Sequence, residues 1–180
     1  ALAEPISRTL RTEDLPAQRG SIVDRLGRPL AYSRPAPTIV ADPRLISTEQ
    51  VPYVVGQLAS FLDTDPEVMA RRLTSDSRFV YLERQVDPEI GDAAMALSLP
   101  GVWSYEEPRR EHPNGDCTGL SLMGRVDIDH LGISGLEKIH DQTLTGTPGT
   151  RAVEVSADRS ATIVGGQQVL EPAVPGEDVA

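Results

Sequence analysis

At 180 residues the chain suits one domain, or two small lobes sharing a core, and can bury that core without disulfide or metal staples. Hydrophobic residues at 39% and charged residues at 24% exclude a disordered chain, and a formal net charge of −10 argues against a nucleic-acid surface. A single cysteine, Cys117, excludes an intramolecular disulfide and a thiolate zinc cluster, and no apolar run approaches the roughly 18 residues of a spanning helix.

Residues 1–18 carry Pro5, Pro16 and several charges with no clear period, and are expected to form an extended lead-in, partly strand. Two short apolar runs, Ile22-Val23 and Leu30-Ala31, flank Asp24-Arg25-Leu26-Gly27-Arg28-Pro29. A charged pair, a Gly suited to positive φ and a Pro are turn chemistry, so the stretch predicts strand, tight reversal and strand, with Pro29 ending the pairing. Arg34-Pro35-Ala36-Pro37 is expected to break the sheet. Thr38-Ile39-Val40-Ala41 then predicts a short strand closed by Asp42-Pro43. Ser47 and Gln50 have capping-box spacing, and Val51, Val54, Val55, Leu58, Ala59 and Leu62 follow at helical spacing. Pro52 is tolerable there because it lies in the first turn.

Asp65-Pro66-Glu67 is a second helix start: a cap, Pro at the first helical position and an acid at the positive end, with the helix reaching about Leu73. Phe79 to Leu82 predicts a strand. Asp87-Pro88-Glu89 starts a third helix through Ile90, Ala93, Ala94 and Leu97, stopping near Pro100-Gly101. Val102 to Arg110 predicts a strand with Trp103 and Tyr105 on one face, expected toward a core, with a surface for sugar or a partner as the alternative, and Asn114-Gly115 is a turn signal. Leu120 to Gly124 fits a short helix or a strand. Gly132-Ile133-Ser134-Gly135-Leu136-Glu137 opens a helix to about Leu144, stopped by Gly146-Thr147-Pro148-Gly149. Arg151 to Ser156 predicts a strand, residues 161–170 a hairpin turning at Gly165-Gly166, and Pro172 to Ala180 a linker.

Arg19-Gly20-Ser21-Ile22-Val23-Asp24-Arg25-Leu26-Gly27, running into Leu30-Ala31, resembles the first motif of the N-terminal pedestal, or dimerisation, module of class B penicillin-binding proteins. Arg110-Glu111-His112-Pro113 is similar to the second motif, Arg-x-Tyr-Pro, with His112 in the Tyr position. Gly132, Gly135 and Glu137 match the third, Gly-x-x-Gly-x-Glu, and Pro175 to Val179 resembles the junction with a transpeptidase domain. Leu26, where the family usually has Asn, is a second departure. Ala41-Asp42-Pro43 is more similar to the division-type branch than to the elongation-type one.

The motif residues Arg19, Gly20, Asp24, Arg25, Gly27, Arg110, Pro113, Gly132, Gly135 and Glu137 come from three distant stretches. A planar guanidinium binds a carboxylate through paired nitrogens, so Glu137 is expected to meet one or more of Arg19, Arg25 and Arg110 and to join those stretches. The plain alternative is that these are separate surface charges.

Catalysis is not expected from this chain. A penicillin-binding site needs Ser-x-x-Lys, Ser-x-Asn and Lys-Thr-Gly. The only Lys, Lys138, has Gly135 three positions before it and Ile139 after it; the only Asn, Asn114, has His112 two before it. Asp127-Ile128-Asp129-His130-Leu131-Gly132 begins like a calcium loop, but position twelve is Lys138 where a Glu is needed, so a turn is expected. His112, His130 and His140 lack a shared ligand spacing. No metal or cofactor is expected.

The expected fold is α+β: a strand-rich pedestal subdomain with one helix, residues 1–35 and 101–180, carrying an inserted α/β head lobe, residues 36–100. The resemblance implies an extracytoplasmic module of a single-pass membrane protein, with its N-terminal anchor and its transpeptidase domain outside the chain. The partners implied are that domain, a SEDS-family glycan polymerase and septal membrane proteins; no nucleic acid is implied. The alternatives are a stand-alone enzyme with an unrecognised site and a free scaffold or adhesion module.

Overall fold

The computed structural model describes residues 9–113, 120–155 and 162–180. They form a mixed α+β fold that divides into two compact units, Ala1–Ser33 with Arg110–Ala180, and Arg34–Arg109. Residues 101–109 thus fall in the second unit.

In the first unit β1 (Thr9–Leu15), β6 (Gly149–Val155) and β7 (Thr162–Glu171) form an antiparallel sheet in the order β1-β6-β7. The opening hairpin is present: β2 (Ile22–Val23) pairs with the start of β3 (Pro29–Ala41), Ile22 opposite Ala31. Pro29, expected to end the pairing, instead faces Val23 as the first residue of β3, a strand position that Pro tolerates. Ile22, Ala31, Met123 and Leu144 make the buried core, with Leu30, Leu136 and Val179 packed on it. Leu120 to Gly124 resolves as helix, α4 (Leu120–Met123). The single helix expected to reach Leu144 is two short ones, α5 (Gly135–Ile139) and α6 (Asp141–Thr145), broken at His140.

Two further expectations fail in this unit. Gly165-Gly166 does not turn a hairpin: both stand inside β7, at a shift in its pairing with β6, between Thr162 opposite Val155 and Gln167 opposite Val153. Pro172 to Ala180 is not a free linker. Thr147 pairs with Val174 and Ile22 with Val179. Asn114-Gly115 lies outside the described residues.

In the second unit the rest of β3 pairs with β4 (Val80–Glu83), Val40 opposite Tyr81, and β5 (Val102–Glu111) also pairs with β3. Arg34 to Pro37 does not break the strand; β3 runs through it, because the fixed φ of Pro suits extended backbone. Three helices follow their start signals: α1 (Val51–Leu58), α2 (Pro66–Leu73) and α3 (Pro88–Ala96). The Asp65 carboxylate accepts from Glu67 N at 2.7 Å, Pro66 occupies the first turn, and Arg71 and Arg72 face the negative end. Half of the Ser47–Gln50 box forms: Gln50 Oε1 accepts from Ser47 N at 3.0 Å. The apolar stripes of α1 and α2 bury Val54, Leu58, Met69 and Leu73 against Ile39, Ala41 and Leu82. Truncating a wholly buried residue such as Leu82 to Ala would cost about 2–5 kcal/mol. Trp103 and Tyr105 share a face as expected, but they stand partly exposed rather than in a core.

Candidate functional site

Arg19 follows β1 and precedes the hairpin, Arg110 sits near the end of β5, and Glu137 lies in the first turn of α5. The fold brings all three together. Glu137 is wholly buried, and the side chains of Arg19 and Arg110 are each 3% exposed. Glu137 Oε2 accepts from Arg19 Nε at 2.8 Å and lies 2.7 Å from Nη2; Oε1 accepts from Arg110 Nε at 2.7 Å. Each oxygen of one carboxylate therefore holds a different arginine.

Both nitrogens of the Arg19 fork and Nη1 of Arg110 extend the clasp, while Arg110 Nη2 is buried without a hydrogen-bond partner among the described residues. Arg19 Nη1 donates to Asp141 Oδ1 at 2.7 Å, to Thr145 Oγ1 at 2.9 Å and to the His130 carbonyl at 3.0 Å; Nη2 donates to the Glu137 carbonyl at 3.0 Å. Arg110 Nη1 donates to the Gly20 carbonyl at 2.8 Å and to Ser33 Oγ at 3.1 Å. Two guanidinium groups face two carboxylates, so the formal charges balance. An unbalanced buried charge would be strongly destabilising.

Electrostatics follow from that geometry. Burial pushes the Arg110 guanidinium pKa down, and the Glu137 charge beside it works in the opposite direction. Burial also works against the Asp141 carboxylate. The Gly132 N–H, donating at 2.8 Å, and the Arg19 guanidinium outweigh it and hold the pKa below its ordinary value.

Two motif glycines are required by close approach. A Cβ on Gly132 would stand 2.1 Å from the Glu137 carbonyl oxygen, and one on Gly20 would stand 2.2 Å from the Glu177 carbonyl oxygen. The second approach seats the C-terminal segment. Gly176 N donates to Gln18 O at 2.9 Å, Glu177 N to Thr143 O at 3.0 Å and Val179 N to Ser21 O at 2.9 Å. Ser21 N donates to Asp178 Oδ1 at 2.6 Å.

The other motif residues do different work. Asp24 closes the hairpin: Oδ1 accepts from Leu26 N at 2.8 Å and Arg28 N at 3.0 Å, and Oδ2 from Arg28 Nε at 2.7 Å. Those bonds, the Arg28 N–H first among them, lower its pKa. Gly27 takes φ of +75° in the same turn, and Gly135 takes φ of +59° at the head of α5. Arg25 is exposed in the hairpin turn and is not among the partners of Glu137; Pro113 is exposed beyond β5. Asp127 caps its own turn, accepting from Leu131 N at 2.9 Å and Asp129 N at 3.0 Å. Among the described residues no three His, Cys, Asp or Glu side chains gather as a metal site would require.

Asp141, Thr145, Ser33 and the C-terminal segment were not foreseen. Asp141 had a usable signal, since it follows Glu137 by four residues, the spacing that puts two acids on one helical face.

What the arrangement can do is hold three remote segments in one rigid body. The penicillin-binding protein dimerisation domain family matches residues 14–180, and the chain belongs to it. Among curated proteins it is similar to peptidoglycan D,D-transpeptidase FtsI of Escherichia coli K12, 40% identical over 152 residues, covering 81% of this chain and 26% of that protein. It is also similar to FtsI of Buchnera aphidicola subsp. Schizaphis graminum, 34% identical over 177 residues, covering 91% of this chain and 29% of that one. The chain thus spans less than a third of these relatives. Penicillin-binding protein 2X of Streptococcus thermophilus shares the fold, with a TM-score of 0.57 at 20% identity, covering 93% of this chain and 28% of that one. No described helix is long and apolar enough to cross a membrane.

Proposed function

We propose that the chain is the non-catalytic, extracytoplasmic pedestal of a membrane-anchored, serine-type D,D-transpeptidase of the division branch. It holds the catalytic domain at a set distance and orientation and offers contact surfaces to a SEDS-family glycan polymerase and septal membrane proteins. In this reading the unit Ala1–Ser33 with Arg110–Ala180 is the anchor and pedestal, and Arg34–Arg109 the head lobe. One observation carries the reading: the segment from Val174 to Val179 is hydrogen-bonded beside the Arg19–Glu137–Arg110 clasp. A domain joined after it inherits the orientation of that rigid body. The relatives' names, and the absence of every transpeptidase motif from these 180 residues, support it.

The test uses the longer parent and this chain side by side. A fluorescent β-lactam is expected to acylate the parent and leave the 180-residue chain unlabelled. Glu137→Gln in the parent is expected to retain acylation while weakening co-purification with the polymerase and glycan crosslinking. Labelling of the chain itself, or a Glu137→Gln parent with normal co-purification and crosslinking, would overturn the proposal.

A further inference from the structure

Four of the chain's seven aromatic residues (one Trp, four Tyr, two Phe in all) gather on one face of the second unit. Strand alternation sends Ile39 and Ala41 to the helical core and Thr38 and Val40 to the opposite face. Tyr81 stands opposite Val40, so it shares that face. Phe79 meets Tyr81 edge-on at 5.0 Å and Trp103 at 6.3 Å between ring centres. The Tyr105 hydroxyl lies 3.2 Å from that of Tyr81. Phe79, Tyr81, Trp103 and Tyr105 are between 37% and 42% exposed, more than a core requires.

The two tyrosine rings are fixed in advance by a charge-balanced network, and Phe79 packs edge-on against one of them. The Tyr105 hydroxyl donates to Glu107 Oε1 at 2.7 Å. Glu107 Oε2 accepts from Arg84 Nε and from Thr38 Oγ1, both at 2.9 Å. The Arg84 guanidinium lies 4.8 Å over the Tyr81 ring. Burial and these hydrogen bonds push the Tyr105 phenol up, so it stays a neutral donor.

We propose that this face binds a glycan strand of N-acetylhexosamines. Rigid, amphipathic rings give large contact area at little entropic cost, and the C–H face of a pyranose lies flat on such rings. The hydroxyls, guanidinium and carboxylate at their edges match sugar hydroxyl and acetamido groups. Arg84 and Glu107 neutralise each other, so the face suits an uncharged polyhydroxylated ligand within a chain of net charge −10. Pre-fixed rings lose little freedom on binding. The choice of this glycan rests on the pedestal reading, since the relatives are named for peptidoglycan; the platform itself does not.

Trp103 is the only tryptophan, so its emission reports on this face alone. Titration with the β-1,4-linked N-acetylglucosamine hexamer is expected to change that emission saturably, in the range of about 0.1–5 mM. Phe79→Ala and Tyr105→Ala should each weaken binding at least about fivefold. Tyr53→Ala, which removes an exposed ring from α1, should leave it unchanged. A flat wild-type titration overturns the proposal however the variants fold. So does equal weakening by Tyr53→Ala. An emission change driven by protein concentration alone, with a dimer in sedimentation, overturns it in favour of a second copy. In the longer parent, Trp103→Ala is expected to leave β-lactam acylation unchanged. Failed hexamer binding beside normal acylation would remove this inference and leave the pedestal reading standing.

Discussion

Arg19 and Glu137 lie 118 residues apart in the chain and meet through two guanidinium nitrogens on one carboxylate oxygen, at 2.8 and 2.7 Å. The other carboxylate oxygen is held by Arg110. One acid thereby ties together the segment before the hairpin, the end of β5 and the head of α5. Gln18 and Ser21, on either side of Arg19, are in turn hydrogen-bonded to the C-terminal segment.

Arg19→Lys is expected to behave as a damaging change. An ammonium offers three donors from a single point, whereas the planar Arg19 fork serves Glu137, Asp141, Thr145 and two carbonyls. Leaving those groups unsatisfied should cost about 2–4 kcal/mol. Urea unfolding of the purified chain reads this directly; a loss below about 0.5 kcal/mol would fit an exposed ion pair instead.

Two glycine-to-alanine changes should move stability in opposite directions. Gly132→Ala forces a methyl group against the Glu137 carbonyl and displaces the N–H that Asp141 accepts, for a loss of about 2 kcal/mol or more. Gly56→Ala sits inside α1 with no atom within 4 Å of the added methyl, and should gain about 0.5–1 kcal/mol. Melting temperatures of the two variants against the parent sequence check both signs.

The clasp should loosen in acid through Asp141. Its folded pKa lies below the unfolded value near 3.8. The stability it contributes is thus fully present above that unfolded value and is lost as the pH falls through the lower folded value. Asp141→Asn should be less stable than the wild type at pH 6–7, and the difference should shrink as the pH drops below about 4. A difference that stays constant down to pH 2 would assign the effect to shape rather than charge.

Local chemistry was legible where it decides structure locally. Asp65-Pro66 started a helix, Asp24 and Gly27 closed a hairpin, and the apolar stripe of α1 named its buried residues Val51, Val54 and Leu58. The clasp was legible only through residue type and family pattern: Arg19, Arg25 and Arg110 stand out beside Glu137, of which Arg19 and Arg110 meet it and Arg25 does not, while the roles of Asp141 and Ser33 depend on distant backbone. The errors have one cause. Pro35 and Pro37, Gly165 and Gly166, and Pro172 to Ala180 look like breakers by composition, yet each lies within or against a stretch paired with a remote partner, the two glycines at a shift in the β6–β7 register. Trp103 and Tyr105 misled for another reason. Alternation gives a shared face but not which face is covered.

The most direct measurement is a double-mutant cycle of Arg19→Met and Glu137→Met in the 180-residue chain, followed by urea unfolding. Each single change should cost about 3–5 kcal/mol, because it removes one member of a buried charge network and leaves the groups it held short of a partner. The double variant should lose at least about 1.5 kcal/mol less than the sum of the singles. Losses that add to within about 0.5 kcal/mol would show that the two residues act independently, and would contradict the clasp as the joint of this fold.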